Sequence, residues 1–309
     1  MGKKQLGRTT ALPKKPGWLR AATSALLSNA IPGTLYHYTN HGGLIGILRG
    51  QKLWATNINY LNDLSEITLV FTLALKSLKT GKYRFKKKAK IPEVAEVLEE
   101  LERDIGEDIY VCSLSDKEDD LSQWRGYSIG GIGYSIGFDG KILENISNKQ
   151  TMNSKGPKIL APFELKKCLY SNEPSAESQI EYLILGIDQF INNNPRCNEA
   201  TIKAFVRKEA GSIVTFLKHQ KFAAEQEWRL ASIGKINENS DKLEFREGKS
   251  MMVPFFEFSF MDRKEVIKEI WIGPTPNMEF AEHAIKQLLN KLQLTNVVVK
   301  RSEIPFRNW

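Results

Sequence analysis

Histidine and cysteine are scarce in this chain, whose 309 residues hold four of the first and three of the second. Cys112, Cys168 and Cys197 are odd in number, far apart and without a CxxC pair. That pattern argues against a disulfide framework or a structural zinc and predicts three buried or inert thiols in a reducing, cytoplasmic setting. His37, His41, His219 and His283 build no HExxH, and no GxGxxG or GxxxxGK[ST] occurs. Metallohydrolase, Rossmann and P-loop chemistry are therefore set aside, serine-triad chemistry is not expected either, and no metal is expected. No run approaches the roughly 18 apolar residues that cross a bilayer, and "AATSALLSNAI" is too short and polar for a signal segment, so no membrane partner is expected.

Acidic residues are missing from the start of the chain. None precedes Asp63, whereas residues 1–62 hold eight Lys or Arg, and the remainder balances at 36 basic and 36 acidic. The whole net charge of +8 thus belongs to the first fifth of the chain. Residues 1–20, with six of those cations among Pro and Gly, read as a loosely held basic tail. A solvated tail and contact with a polyanion such as RNA or DNA are the two readings of it. A second basic run, Lys82 to Lys90, has six cations in nine residues with two aromatics between them, and reads as a solvated face or loop, with nucleic-acid contact as the alternative.

Periodicity predicts a helix near 18–29, a strand at "TLYHY", a short helix at "GGLIGILRG" and a strand at "KLWAT". A longer helix follows, capped by Asn62 or Asp63 with Glu66 completing a capping box. Further on come a helix near 92–105, the strand "DIYVCSLS", a helical turn at "LSQWRGYS", the strand "GGIGYSIGF" and the strand "FELKKCLY". Two helices over about 175–219 lead to the strand "EQEWRLASI". The strands "MMVPFFEFSF" and "IKEIWIG", a helix at "NMEFAEHAIKQLLNKL" and the strand "NVVVKRS" close the chain. Most of these strands must pair with distant segments, which predicts an α+β domain with a mixed, mainly antiparallel sheet flanked by helices. The division expected is a basic tail and leading helix over 1–32 and one domain over 33–309.

The polar aromatics and amides of "YHYTNHGGLIGILRGQKLWATNINYLND" are unusual for a core segment, because buried Tyr, His and Asn each need a hydrogen-bond partner. They predict one wall of a polar pocket. In "AAEQEWRL", an extended strand would turn Glu225 and Glu227 to one side with Arg229 as their counter-ion. The plain alternative is a structural Arg–Glu ladder.

Four segments, "LYHYTNHGGLIGIL", "LWATNINYLNDLSE", "VCSLSDKEDDLSQWRGYSIGGIGYSIGF" and "EQEWRL", with "VKRSEIPFR" near the end, resemble the bacterial family called domain of unknown function 2971 (DUF2971) across residues 33–307. More distantly, "YHY" and "EQE" resemble motifs of the ADP-ribosyltransferase superfamily, and an ADP-ribosyltransferase-like fold is what that implies. The resemblance implies NAD as substrate, His37 holding the nicotinamide-side ribose, and Tyr60 or Tyr127 stacking on nicotinamide. It makes Glu227 the catalytic glutamate and Glu225 the residue that engages the acceptor. Tyr36, Tyr38, Thr39, Asn62, Trp124 and Arg229 complete the expected cofactor-binding set, with the turn at Gly42 and Gly43 a further donor to pyrophosphate. A macromolecular acceptor, protein or nucleic acid, fits an effector, toxin or defence role, and NAD glycohydrolysis is the variant in which water is the acceptor. Two other classes compete: a nuclease in which Asp63, Glu66, Glu225 and Glu227 hold Mg²⁺, and a non-catalytic binding module.

Overall fold

The order of strands follows from where each apolar alternation can be buried, and the sheet's centre is the segment with the most apolar neighbours, Ile109–Ser115. The computed structural model describes residues 30–61, 65–127, 133–152, 163–233, 242–248, 250–261 and 263–305. The expected basic tail, the leading helix near 18–29, and the caps Asn62 and Asp63 lie outside these residues.

The strands are β1 (Thr34–Thr39), β2 (Lys52–Asn57), β3 (Ile109–Ser115), β4 (Tyr134–Asp139), β5 (Phe163–Lys167), β6 (Leu169–Tyr170), β7 (Leu217–Lys218), β8 (Glu227–Ile233), β9 (Glu244–Glu247), β10 (Met252–Ser259), β11 (Ile267–Ile272) and β12 (Val298–Arg301). The helices are α1 (His41–Gly50), α2 (Ser65–Thr80), α3 (Ile91–Asp104), α4 (Leu121–Tyr127), α5 (Gly140–Met152), α6 (Pro174–Asn193), α7 (Glu199–Phe216) and α8 (Met278–Lys291). The main sheet runs β12-β11-β4-β1-β3-β2-β10-β9, with β8 on β3 and β5 on β8. Its pairs are antiparallel except β11–β12, which α8 connects; β6 and β7 form a separate parallel pair. This is the mixed, mainly antiparallel α+β arrangement that the alternation of the sequence predicts.

Period-two alternation splits the apolar side chains between two cores. Cys112 and Leu230 turn to one face with Leu35, Phe138, Phe256 and Phe258. Val111 and Ala231, their chain neighbours, turn to the other, where α2, α3, α6 and α7 supply Phe71, Leu98, Ile184 and Val206. No helix among the described residues is long and apolar enough to cross a membrane.

Three expectations are corrected. Glu225 is not on a strand: it ends a 3-10 turn over Gln220–Glu225, and the chain swings into β8 through Gln226 at φ 44°, a left-handed conformation uncommon for a side-chain-bearing residue. Cys197 is half-buried rather than buried, unlike Cys112 and Cys168. Strand β9, "EFRE", was not anticipated because its residues are mostly polar; it is an edge strand paired only with β10, so it has no second partner to demand apolar alternation.

Candidate functional site

Two strands compete for one edge of β3. β1 is registered to it at Tyr36↔Ser115, β2 at Thr56↔Val111 and Asn57↔Tyr110, while β8 takes the whole other edge. Between β1 and β2 the stretch Cys112–Leu114 is left without a strand on that side, and a cavity of about 490 Å³ opens in the split. Its size falls within the range of about 300–1,000 Å³ common for ligand pockets.

His37 faces this split. Its Nδ1 lies 2.9 Å from the Ser113 carbonyl oxygen, which can only accept, so Nδ1 carries the proton and replaces the missing strand partner. Nε2 is then an unprotonated acceptor on a side chain that lines the cavity. Burial lowers the imidazole pKa from its ordinary 6.5, against the opposing effect of the Ser113 bond, so the ring is neutral at pH 7. Tyr36 and Tyr38 also line the cavity, but their hydroxyls are spent on the frame. Tyr36 donates to Glu269 at 2.9 Å; Tyr38 donates to the Lys117 carbonyl at 2.8 Å and accepts from Asp120 N–H at 3.1 Å. Only their ring surfaces remain for a ligand.

The opposite wall is a buried chain of charge. Arg229 Nε donates to Glu227 Oε1 at 2.9 Å, its second arm to Glu66 Oε1 at 2.6 Å, and its third to the Thr215 carbonyl at 2.8 Å. Lys218 Nζ donates to Glu227 Oε2 at 2.6 Å and to Glu225 Oε2 at 2.7 Å, and lies 4.9 Å from the Phe222 ring centre. Glu225 and Glu227 therefore do converge, through a shared lysine rather than through one strand face. Burial alone would raise the Glu227 carboxyl, but Arg229 and Lys218 hold it down at about 2. Burial also raises Glu66, with Arg229 only partly offsetting it. Three carboxylates thus face two cations, and Glu66 Oε2 is buried without a hydrogen-bond partner.

The frame that fixes this wall is local. Tyr170 OH accepts from Glu227 N–H at 2.9 Å, Ser115 Oγ donates to the Glu225 carbonyl at 2.8 Å, and the β6–β7 pairing sets Lys218 beside them. Tyr127 is 44 % exposed and lines the cavity, and burial together with the Glu227 and Glu225 carboxylates pushes its hydroxyl up to about 12. At the start of α1, the Asn40 side chain accepts from Gly43 N–H at 2.9 Å, so part of the donor set expected for pyrophosphate is already engaged.

Most of the predicted residues meet here. Tyr36, His37, Tyr38, Thr39, Tyr60 and Tyr127 line the cavity, as do Glu225, Glu227 and Arg229. Trp124 does not: it is fully buried beneath Tyr38, with its indole N–H on Asp119 Oδ1 at 2.6 Å. Asn62 lies outside the described residues. Glu66, expected in a capping box whose Asn62 or Asp63 lies outside the described residues, accepts from Arg229, since a guanidinium buried in β8 needs a second acceptor.

Lys218, Trp54 and Arg246 were missed. Lys218 was absorbed into the end of a predicted helix; the surplus of carboxylate over Arg229 was the signal that a second cation was needed. The GxSxG pattern was also passed over, although GYSIG occurs at 126–130 and again at 133–137. Ser135 sits in the middle of β4, fully buried between β1 and β11, rather than on an exposed strand-to-helix turn, and Ser128 lies outside the described residues.

Of the carboxylates proposed for Mg²⁺, Glu66, Glu225 and Glu227 are turned toward Lys218 and Arg229, and Asp63 lies outside the described residues. Among the described residues no group of three or more His, Cys, Asp or Glu is arranged to hold a metal ion.

Residues 123–230 match the family described as protein of unknown function (DUF2971). The matched segment includes Tyr127, Lys218, Glu225, Glu227 and Arg229 but not β1 or its histidine. Comparison with curated proteins and with solved structures gives no match.

Proposed function

With the match of residues 123–230 to the DUF2971 family as the premise, we propose that the cavity binds NAD and cleaves its nicotinamide–ribose bond, passing ADP-ribose to a macromolecule or to water. One observation carries the reading. Residues 36–39 and 225–229, remote in sequence, meet on one cavity that offers a neutral imidazole acceptor, a carboxylate and aromatic faces. Cleavage breaks the C1′–N bond, nicotinamide leaves with the electron pair, and the ribose becomes oxocarbenium-like, as in glycoside cleavage. The acceptor oxygen then bonds C1′ and gives its proton to a carboxylate.

The resemblance assigns the developing charge to Glu227 and the acceptor to Glu225. Geometry favours giving the charge to Glu225 instead. Glu227 is fully engaged by two cations, whereas Glu225 uses Oε2 on Lys218 and its side chain is 30 % exposed. In this reading Glu227 is a positioning residue that holds Lys218 and Arg229. The Tyr127 and Tyr60 rings are the surfaces for nicotinamide.

Incubation with NAD labelled on the adenosine side tests the proposal by reading free nicotinamide, free ADP-ribose and label on protein or nucleic acid from a lysate. Release of nicotinamide by the wild-type protein is the expected result. No release, with no rise in melting temperature at millimolar NAD, overturns it. His37→Ala is expected to weaken NAD binding and turnover together, by about tenfold for one neutral hydrogen bond. Because the folded pKa of His37 is depressed, the lone pair is present above it. Binding therefore declines only as pH falls below 6.5 through the lowered value, and His37→Ala removes that limb. A change confined to rate, with binding intact, would assign His37 to proton transfer instead.

A further inference from the structure

The outer lip of the cavity differs from its inner wall in one respect: it holds a cation with no anion. Arg246, on edge strand β9, reaches across β10 to Thr56 Oγ1 at 3.4 Å, a long contact with a neutral hydroxyl. The other cations lining the cavity are each met by carboxylate: Lys218 by Glu225 and Glu227, Arg229 by Glu66 and Glu227, Lys52 by Glu257. Among the described residues no carboxylate stands within ion-pair distance of Arg246, although it is half-buried. Burial accordingly lowers its guanidinium pKa, with nothing nearby to restore it, whereas Lys218 and Arg229 are raised by their carboxylates despite burial. A partly desolvated guanidinium without a counter-charge is a standing deficit, and its planar fork suits a phosphate group.

An aromatic surface lies beside it. Lys52, Trp54 and Thr56 share one face of β2 by period two, and all three line the cavity. Trp54 is 45 % exposed while its chain neighbours Leu53 and Ala55 are fully buried on the opposite face. Its ring lies against Phe255 at 4.6 Å between centroids, which stiffens it and leaves the remaining surface open. An indole fixed beside an unpaired guanidinium offers a stacking surface and a phosphate contact within one residue's reach of each other.

We propose that Arg246 and Trp54 form a nucleoside-phosphate subsite at the β2–β9 lip of the cavity, with Arg246 on phosphate and Trp54 on the base. It rests on the NAD reading for the identity of that nucleotide, adenosine diphosphate, and would direct the nicotinamide end across the split toward His37 and Glu225.

ADP, adenosine and inorganic pyrophosphate are the probes, titrated by calorimetry into wild type, Arg246→Gln, Arg246→Lys and Trp54→Leu, each checked by a melting curve. ADP is expected to bind wild type, and Arg246→Gln to weaken it by about ten- to a hundredfold, the loss of a charge-assisted contact, while sparing adenosine. Arg246→Lys should recover part of the loss. Trp54→Leu should weaken ADP and adenosine but leave pyrophosphate unchanged. Absence of ADP binding by folded wild type, or equal ADP affinity in Arg246→Gln, overturns the subsite. ADP binding that depends on Arg246 without any NAD cleavage would keep the subsite and defeat the NAD reading. NAD cleavage with an unchanged KM in Arg246→Gln would do the reverse.

Discussion

Glu227→Gln is expected to destabilise the protein by about 3 kcal/mol, the lower end of the cost of breaking a buried ion pair. The side chains of Lys218 and Arg229 are 8 % and 1 % exposed, and Glu227 is a partner of both. A glutamine can offer its single oxygen to only one of them and must turn an N–H group toward the other. Each cation keeps one carboxylate, Glu66 on Arg229 and Glu225 on Lys218, which is why the upper end of the range is not expected. For a chain of this size the fall in melting temperature is roughly 4–5 °C. The acid limb should change as well. Glu227 titrates at about 2 in the folded state against an ordinary 4.5, so its stabilisation is complete above 4.5 and is lost as pH falls through 2. In Glu227→Gln the stability profile should be flatter across that window. A variant melting within a degree or two of wild type, with the same acid profile, would show that the charge chain is not holding the site together.

The legible part of this molecule was whatever local periodicity controls. β1, α1, β2 and β3 could be read from alternation and from the switch to a 3.6-residue period, and their polar content announced a cavity wall before any geometry was known. The edge strand β9 could not be read, since an exposed edge imposes no apolar pattern. Nor could the split between β1 and β2, which depends on how two strands share the edge of a third; sequence alternation says which face a residue takes, not which neighbour its strand loses. Glu225 is the instructive case. Its side was deduced from a strand that in fact begins two residues later, at Glu227, because a left-handed Gln226 leaves little trace in sequence; yet it reached the same place through Lys218. Trp124 shows the converse. An aromatic next to a predicted pocket was taken as a ligand contact, but a fully buried indole with its N–H satisfied by Asp119 has no face left to give.

Glu225→Gln should be the variant that separates chemistry from folding. Its side chain is 30 % exposed and Lys218 keeps Glu227 as a buried partner, so the substitution should cost only about 1 kcal/mol of stability. Turnover is another matter. A preorganised charge aimed at a group that becomes charged only in the transition state contributes to rate rather than to ground-state binding. Nicotinamide release is therefore expected to fall by about 10² to 10³ in kcat, while the rise in melting temperature given by NAD stays close to that of wild type. Glu227→Gln lowers rate and stability together, so its activity loss alone cannot assign a role; Glu225→Gln isolates the charge. Measuring nicotinamide release and acceptor labelling side by side resolves the remaining choice. Loss of both places Glu225 at the ribose. Loss of labelling with nicotinamide release intact places it at the acceptor and returns the charge-stabilising role to Glu227. Wild-type values for both would remove Glu225 from the reaction and leave the carboxylates as a structural ladder built around Arg229 and Lys218.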